Sequence, residues 1–177
     1  LRPSENSCVV DAAPMDGALV SMAVQANDDP AAARGDFARL DEIPFDARHR
    51  YMASLHARAQ QAPVVYVKGA PERILEMCAE AAMPDGNAPL ESARWHGEIE
   101  APAAAGQRVI AIARRSLPEG TQQIAPGHVE SGLCLLGIVG LIDPPRPEAV
   151  EAVAECQSAG IRVKMITGDH AATARAI

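Results

Sequence analysis

The chain has 177 residues and a formal net charge of −7, and 48% of its residues are hydrophobic while 22% are charged. This balance is typical of a folded domain with its own core and argues against an intrinsically disordered chain. The acidic charge argues against a surface for nucleic acid or anionic membranes, because such a surface must be basic to replace the counterions of the phosphates.

The cysteines and the apolar runs exclude two further classes. The four cysteines are far apart, without a C-x-x-C pair, and they are Cys8, Cys78, Cys134 and Cys156. We interpret them as reduced thiols, because a disulfide framework or a metal site requires closer spacing. The longest apolar run, LCLLGIVGLI, has about half the length that spans a bilayer, and no charged-then-apolar leader opens the sequence. We therefore expect a soluble chain.

The first quarter of the chain predicts a helix, a loop and two strands. The helix follows an irregular stretch over 1–16 and is capped by Asp16, since apolar positions then recur on one broad face. Residues 27–36, NDDPAAARGD, predict a loop from their Asn, Asp, Pro and Gly content. From Phe37 the apolar period is two, so FARLDEIPF and RHRYMASLHAR predict an antiparallel pair joined tightly around Asp46.

A third strand and a helix follow directly. The strand, APVVYVKGA over 62–70, ends at Lys68 and Gly69. Pro71 suits a helix first turn, Glu72 suits its positive end, and RILEMCAEA continues at helical spacing. MPDGNAP then predicts a turn. Lys68 is therefore expected at a strand-to-helix turn, where ligands often bind.

The second half changes character at Asp143. LESARWHGEIEAPAAAGQ predicts a helix that frays at Pro102, RVIAIARRSL predicts a strand, and LCLLGIVGLID predicts a strand buried on both faces. After DPPRP come a helix from Pro147 that stops at Gly160, the strand IRVKMITGD and the start of another helix.

The predicted fold class is α+β, with an antiparallel β-sheet flanked by helices over residues 1–142. The prolines of 143–146 form a stiff hinge, and 147–177 begin an α/β piece with a parallel sheet.

Few residue types are available for chemistry. Lys68 and Lys164 are the only lysines, and neither precedes Ser or Thr, so no Walker sequence is present, and there is no G-x-G-x-x-G. Together, Phe45, Asp16 and Lys68 offer a ring for a purine base, an acceptor for its amine and a cation for phosphates. Each residue alone has a simpler interpretation as a core aromatic, a solvated carboxylate or an edge cation.

Several segments, in order, resemble the bacterial type of P-type cation-transporting ATPase. PFDARHRYMA resembles the PF-S-RK-MS segment of that family's nucleotide-binding domain, and VKGAPERIL resembles its KGAPE turn. DPPRPEAV is similar to its hinge, and IRVKMITGDHAATARAI to the opening of its phosphorylation domain, which is haloacid-dehalogenase-like. APMDGALVSMA is a weaker match to its GDPTEGALL helix start. The matches cover the chain from about residue 11 to its end.

The resemblance implies roles for individual residues. Phe45 would stack on adenine beside Lys68, Asp16 would accept from the adenine amine, and the arginines would reach the phosphates. The implied ATP-binding residues are Asp16, Phe45, Arg50, Lys68, Gly69 and Arg108. Asp143 and Arg146 would approach the nucleotide from the hinge, and the implied phosphoryl-binding turn is Thr167, Gly168 and Asp169.

The sequence also departs from the family pattern. Asp16 replaces a glutamate, so we expect its contact with the amine to be long or bridged by water. His49 stands where the motif has arginine, and Ala47 and Ala53 replace its two serines. Tyr51 is either a cross-strand packing residue or part of the site. DKTGT and TGDGVND do not occur, so the resemblance implies a fragment that binds ATP without turnover and lacks most Mg²⁺ ligands.

The implied function is that of the ATP-binding cytoplasmic domain of a membrane pump that couples ATP hydrolysis, through an aspartyl phosphate, to cation transport. Its partners would be ATP with Mg²⁺ and the phosphorylation, actuator and transmembrane domains of the same polypeptide. The fragment itself would be a monomer at the cytoplasmic face of the membrane, without nucleic acid and without direct membrane contact.

Two alternatives stay open. A soluble haloacid-dehalogenase-like phosphatase would require a D-x-D-x-T or D-x-D-x-V string, which is not found. A non-enzymatic nucleotide-binding or interaction module would use the basic residues near Phe45 to meet an acidic partner.

Overall fold

One sheet of seven strands forms the centre of the described structure. The computed structural model describes residues 14–142 and 146–164. In these ranges the strands are β1 (Arg39–Asp46), β2 (Tyr51–Arg58), β3 (Gln61–Gly69), β4 (Cys78–Met83), β5 (Gly86–Pro89), β6 (Arg108–Ser116) and β7 (Leu133–Leu141). The helices are α1 (Pro14–Gln25), α2 (Pro30–Asp36), α3 (Pro71–Met77), α4 (Ser92–Ala104) and α5 (Pro147–Ser158), with a short 3-10 turn at Pro126–His128.

The strands lie in the order β1-β2-β3-β6-β7-β4-β5. Neighbours are antiparallel except β4 and β7, which run parallel. The sheet is therefore mixed, and with its helices it agrees with the predicted α+β class. The wholly antiparallel arrangement that we predicted is wrong at this one pair.

The hairpin of β4 and β5 corrects the helix predicted over RILEMCAEA. The helix ends at Met77, and Cys78 begins a strand. This strand pairs with β7, where Ala81 lies opposite Leu135, and both residues are fully buried. Pairing with a strand more than fifty residues away thus overrides the weak helical preference of the alanines.

Helix α2 corrects the loop predicted over 27–36. The Asp29 side chain accepts hydrogen bonds from the backbone N–H groups of Ala31 at 2.8 Å and Ala32 at 3.3 Å. Pro30 follows it at the first helical position, where its fixed φ suits the helix. The residues that suggested a loop are therefore the cap and first turn of a helix.

The core lies on one face of the sheet, under α3 and α4. Its largest fully buried side chains come from β2, β3, α3, β7 and the loop before β7, and include Tyr51, Leu55, Val65, Val67, Ile74, Met77, Val129, Leu133 and Leu135. Tyr51 is 2% exposed, which favours the packing interpretation of this residue. Side chains alternate along a strand, so Met52 and Lys68, which pair across β2 and β3, lie on the opposite face.

The carboxy-terminal part of the described structure contributes few buried residues to this core. The strand predicted over LCLLGIVGLID is formed, but only its first three residues, 133–135, are buried. Helix α5 begins at Pro147 as predicted, is followed by Gly160 at φ 74°, and has no buried residue. Residues 161–164 form no regular strand. The rest of the predicted α/β piece lies outside the described residues.

Within the described ranges, no helix has both the length and the apolar character required to cross a membrane.

Candidate functional site

A cleft of about 650 Å³ opens on the side of the sheet where β2, β3 and β6 meet the first turns of α1 and α3. It is lined by Met15, Asp16, Phe45, Arg50, Met52, Lys68, Gly69, Ala70, Pro71, Glu72, Arg108, Val109 and Ile110. All six residues that the resemblance implies for ATP binding are in this set.

Phe45 reaches the cleft because β1 contains a bulge. Ile43 pairs with Ala53 and Asp46 pairs with Tyr51, so Pro44 and Phe45 together stand opposite the single residue Met52. Strict alternation from Ile43, which packs on the core, would turn Phe45 towards the core as well. The extra residue re-aims the ring. Phe45 is 62% exposed and offers an open aromatic face.

Lys68, on β3, lines the cleft. Its ammonium forms an ion pair with Asp16, and the two side chains are 23% and 32% exposed, respectively. Burial lowers the pKa of Lys68, whereas the adjacent carboxylate favours the charged form.

Asp16 lies inside the first turn of α1, because the helix begins at Pro14. It therefore does not cap the helix as predicted. A carboxylate in the first turn is still favoured by the positive end of the helix dipole. The turn places this carboxylate against Lys68, so α1 closes one side of the cleft.

Arg50 is the last residue of the turn that joins β1 to β2. The basic residues Arg48, His49 and Arg50 lie in this turn and not on the strand, which begins at Tyr51. Arg50 has a φ of 60°, the left-handed conformation that is uncommon for residues other than glycine. Asp46 shapes the turn, and the Arg48 guanidinium that donates to its carboxylate lowers the pKa of Asp46.

Gly69 is required because the β1–β2 turn passes directly over it. A Cβ at this position would lie 2.3 Å from the carbonyl oxygen of Arg50 and 2.8 Å from the Cα of Tyr51. The next residue, Ala70, donates its backbone N–H to the same Arg50 carbonyl at 3.0 Å. The glycine therefore lets the strand-to-helix turn and the Arg50 backbone approach each other.

The charge of the lining differs from that of the whole chain. Arg108 begins β6 and is exposed, and the pairing of Lys68 with Ile112 puts it on the face of Lys68. The lining contains three cations, Arg50, Lys68 and Arg108, and two carboxylates, Asp16 and Glu72. An anion thus meets a local positive excess in a chain of net charge −7.

Sequence reasoning missed the apolar part of the lining. Met15, Met52, Val109 and Ile110 form it, and Glu72 stands at the rim. Met52 carried a usable signal, since it lies two residues after Arg50 and alternation predicts a shared face. No comparable signal identifies Met15, because its contribution depends on where α1 packs.

Of the remaining predicted residues, the structure describes only Arg146, which does not line the cleft. Arg146 is exposed and precedes the first residue of α5. Asp143 and the phosphoryl-binding turn of Thr167, Gly168 and Asp169 lie outside the described residues.

Comparison with known proteins points to one family. A family model described as P-type ATPase, cytoplasmic domain N, matches residues 5–148. A cation-transporting ATPase of Synechocystis sp. is 41% identical over 165 residues, which cover 93% of this chain and 18% of that protein. A calcium-transporting ATPase of Bacillus subtilis is 34% identical over 181 residues, covering 100% of this chain and 20% of that protein.

A human relative gives the same picture. The sodium/potassium-transporting ATPase subunit alpha-4 of Homo sapiens is 34% identical over 177 residues, covering 92% of this chain and 17% of its own length. The chain therefore spans about a fifth of the length of the curated relatives that it matches.

Proposed function

Because this chain belongs to the family of P-type ATPase cytoplasmic N domains, we propose that it binds ATP, as the Mg²⁺ complex, in the cleft between β2, β3, β6 and α1. The observation that carries the proposal is the exposed ring of Phe45, held by a bulge on the same cleft as Lys68 and two arginines. No other described side chain combines an open aromatic face with this group of cations.

In the proposed complex, adenine stacks on Phe45 and against the apolar side chains of Met52 and Ile110. Asp16 accepts from the adenine amine, directly or through a water, and this requires that its ion pair with Lys68 opens. The freed ammonium then faces the nucleotide. Arg50 and Arg108 neutralise the phosphates.

The task of this domain in phosphoryl transfer is positioning. The transition state of such a reaction is stabilised mainly by placing and neutralising the phosphates. The acceptor aspartate would lie elsewhere in the parent protein, so the cleft holds MgATP and presents its terminal phosphate. Stacking and a few solvated ion pairs give a Kd of roughly 0.1 to 10 mM, about 3 to 5 kcal/mol, which suits release of ADP in every cycle.

We extend the proposal to the whole protein as follows. Residues 1–142 form the nucleotide-binding domain, 143–146 the hinge and 147–177 the start of a haloacid-dehalogenase-like phosphorylation domain. The family match over 5–148 supports the first of these boundaries. In the intact pump, Asp143 and Arg146 approach the nucleotide, and Thr167, Gly168 and Asp169 hold the transferred phosphoryl group. The pump transports a cation, and this domain works at the cytoplasmic face of the membrane.

Substitution of the stacking ring tests the proposal. ATP is titrated by calorimetry into the wild-type chain and into Phe45→Ala, with Phe37→Ala as the matched control, since Phe37 is 37% exposed but outside the cleft. Loss of base stacking should weaken ATP binding about 5- to 150-fold, because stacking contributes roughly 1 to 3 kcal/mol per base. Phe37→Ala should bind as the wild type does.

Equal ATP affinity in wild type and Phe45→Ala would refute adenine stacking and favour an interaction module. Release of phosphate from a general phosphate ester by the isolated chain would favour the phosphatase instead.

A further inference from the structure

We infer that Asp46, which does not line the cleft, is a positioning residue for the phosphates of the nucleotide. It holds the β1–β2 turn in the one conformation that places Arg50 in the cleft wall. The inference rests on the proposed function, because it takes the group that Arg50 binds to be a phosphate of ATP.

Asp46 organises the turn through both its side chain and its backbone. Its carboxylate Oδ1 accepts from the backbone N–H of Arg48 at 2.7 Å. Its carbonyl oxygen accepts from the N–H of His49 at 3.1 Å and from that of Arg50 at 2.7 Å. Three successive N–H groups of the turn therefore converge on one residue. Removing the carboxylate leaves the first of them without its partner and frees the turn to relax.

Arg50 needs such support because its backbone is strained. A left-handed φ costs a residue with a Cβ about 1 to 2 kcal/mol, and it persists only where the surroundings enforce it. At Arg50 the N–H is held by Asp46, and the carbonyl is held by the N–H of Ala70 at 3.0 Å. Gly69 leaves room for this approach. The backbone of Arg50 is thus held at its N–H by Asp46 and at its carbonyl by Ala70.

The ion pair of Asp46 is not what fixes the turn. The Arg48 guanidinium donates to both oxygens of the Asp46 carboxylate, from Nη2 at 2.9 Å and from Nε at 3.2 Å, but the Arg48 side chain is 84% exposed. An ion pair this exposed contributes little, because water and salt screen it. The carboxylate therefore acts as a hydrogen-bond acceptor for a backbone group, and the side-chain oxygen of asparagine can replace it.

The test compares Asp46→Ala, Asp46→Asn and Arg48→Ala in the 177-residue chain, with ATP and adenosine titrated into each. Asp46→Ala should weaken ATP binding about 3- to 10-fold, the effect of one misplaced cation, while adenosine affinity stays within about twofold. Asp46→Asn and Arg48→Ala should keep both affinities within about twofold. Hydrogen exchange should show a faster Ala70 amide in Asp46→Ala only, because that amide reports the position of the Arg50 carbonyl.

A double-mutant cycle separates positioning from general stability. Arg50→Gly keeps the left-handed turn without strain and removes the guanidinium. If Asp46 acts through Arg50, adding Asp46→Ala to Arg50→Gly should cause no further loss of ATP affinity. This comparison can still be made if Asp46→Ala alone is poorly folded. With glycine at position 50 the turn is unstrained, so we expect it to tolerate loss of the Asp46 carboxylate.

Three results would overturn the inference: wild-type ATP affinity in Asp46→Ala, equal weakening of ATP and adenosine, or an Asn variant as defective as the Ala variant. Failure of the proposed function is distinct, because the wild-type chain would then bind no ATP. The Ala70 exchange rates in the variants would still report whether Asp46 holds the turn.

Discussion

The two faces of strands β2 and β3 use alternate residues of the same segments for different tasks. On one face, Tyr51, Leu55 and Val67 are buried in the core with the apolar side chains of α3. On the other face, Met52 and Lys68 line the cleft. Residues that stabilise the core and residues that line the cleft thus alternate along these strands. Substitutions on the first face should change unfolding, and those on the second should change binding.

The largest expected effect comes from a core-face deletion. Leu55→Ala should lower the free energy of unfolding by about 2 to 5 kcal/mol, because it opens a cavity at a fully buried position. Met52→Ala, the matched variant on the cleft face, should cost less than about 1.5 kcal/mol and should weaken ATP binding. Urea unfolding followed by circular dichroism measures the free energy of unfolding of both variants. Similar destabilisation by the two variants would show that the faces are not separate.

A glycine at the boundary between the faces should affect both properties. Gly69→Ala forces the Arg50 carbonyl away and should cost about 1 to 3 kcal/mol of stability together with ATP affinity. Gly97→Ala is the control. Gly97 lies in helix α4, and a Cβ at this position would meet no atom within 4 Å. It should stabilise the chain by about 0.5 to 1 kcal/mol. Thermal unfolding with and without ATP distinguishes these outcomes, and a neutral Gly69→Ala would contradict the close approach.

The smallest expected effect is a pH dependence confined to the cleft face. Burial lowers the pKa of Lys68 from its ordinary 10.5, and bound phosphates raise it again. ATP affinity should therefore fall as pH rises through the lowered pKa of the free chain, and it should level off above the pKa of the ATP complex.

Lys68→Arg should remove that fall, because a guanidinium stays charged. Lys164→Arg, at an exposed position outside the cleft, should retain it. The same decline in Lys68→Arg would assign the titration to another group.

Much of this arrangement follows from local signals. The period-two pattern locates β1 and β2, and Pro71 and Pro147 mark the first turns of their helices as expected. The six residues implied for ATP binding come together because four of them lie on neighbouring elements, the turn before β2, the end of β3 and the start of β6. Their binding roles stay predictions.

Sequence reasoning fails, or has no local signal, where a distant partner or an irregularity decides. The strand that begins at Cys78 is predicted as helix because its alanines favour helix, and only its pairing with β7 selects the extended state. The orientation of Phe45 depends on the bulge, which shifts the phase of alternation by one residue. The Asp29 cap of α2 was visible in the sequence, but the same residues also favour turns.

The bulge at Pro44 has a second consequence, for self-association. Among the described strands, β1 lies at one edge of the sheet, and an unprotected edge strand presents a row of free donors and acceptors to any other molecule. Proline has no N–H to offer, and a kinked border cannot pair in register with a straight one. The bulge that turns the Phe45 ring into the cleft therefore also protects the β1 edge against aggregation.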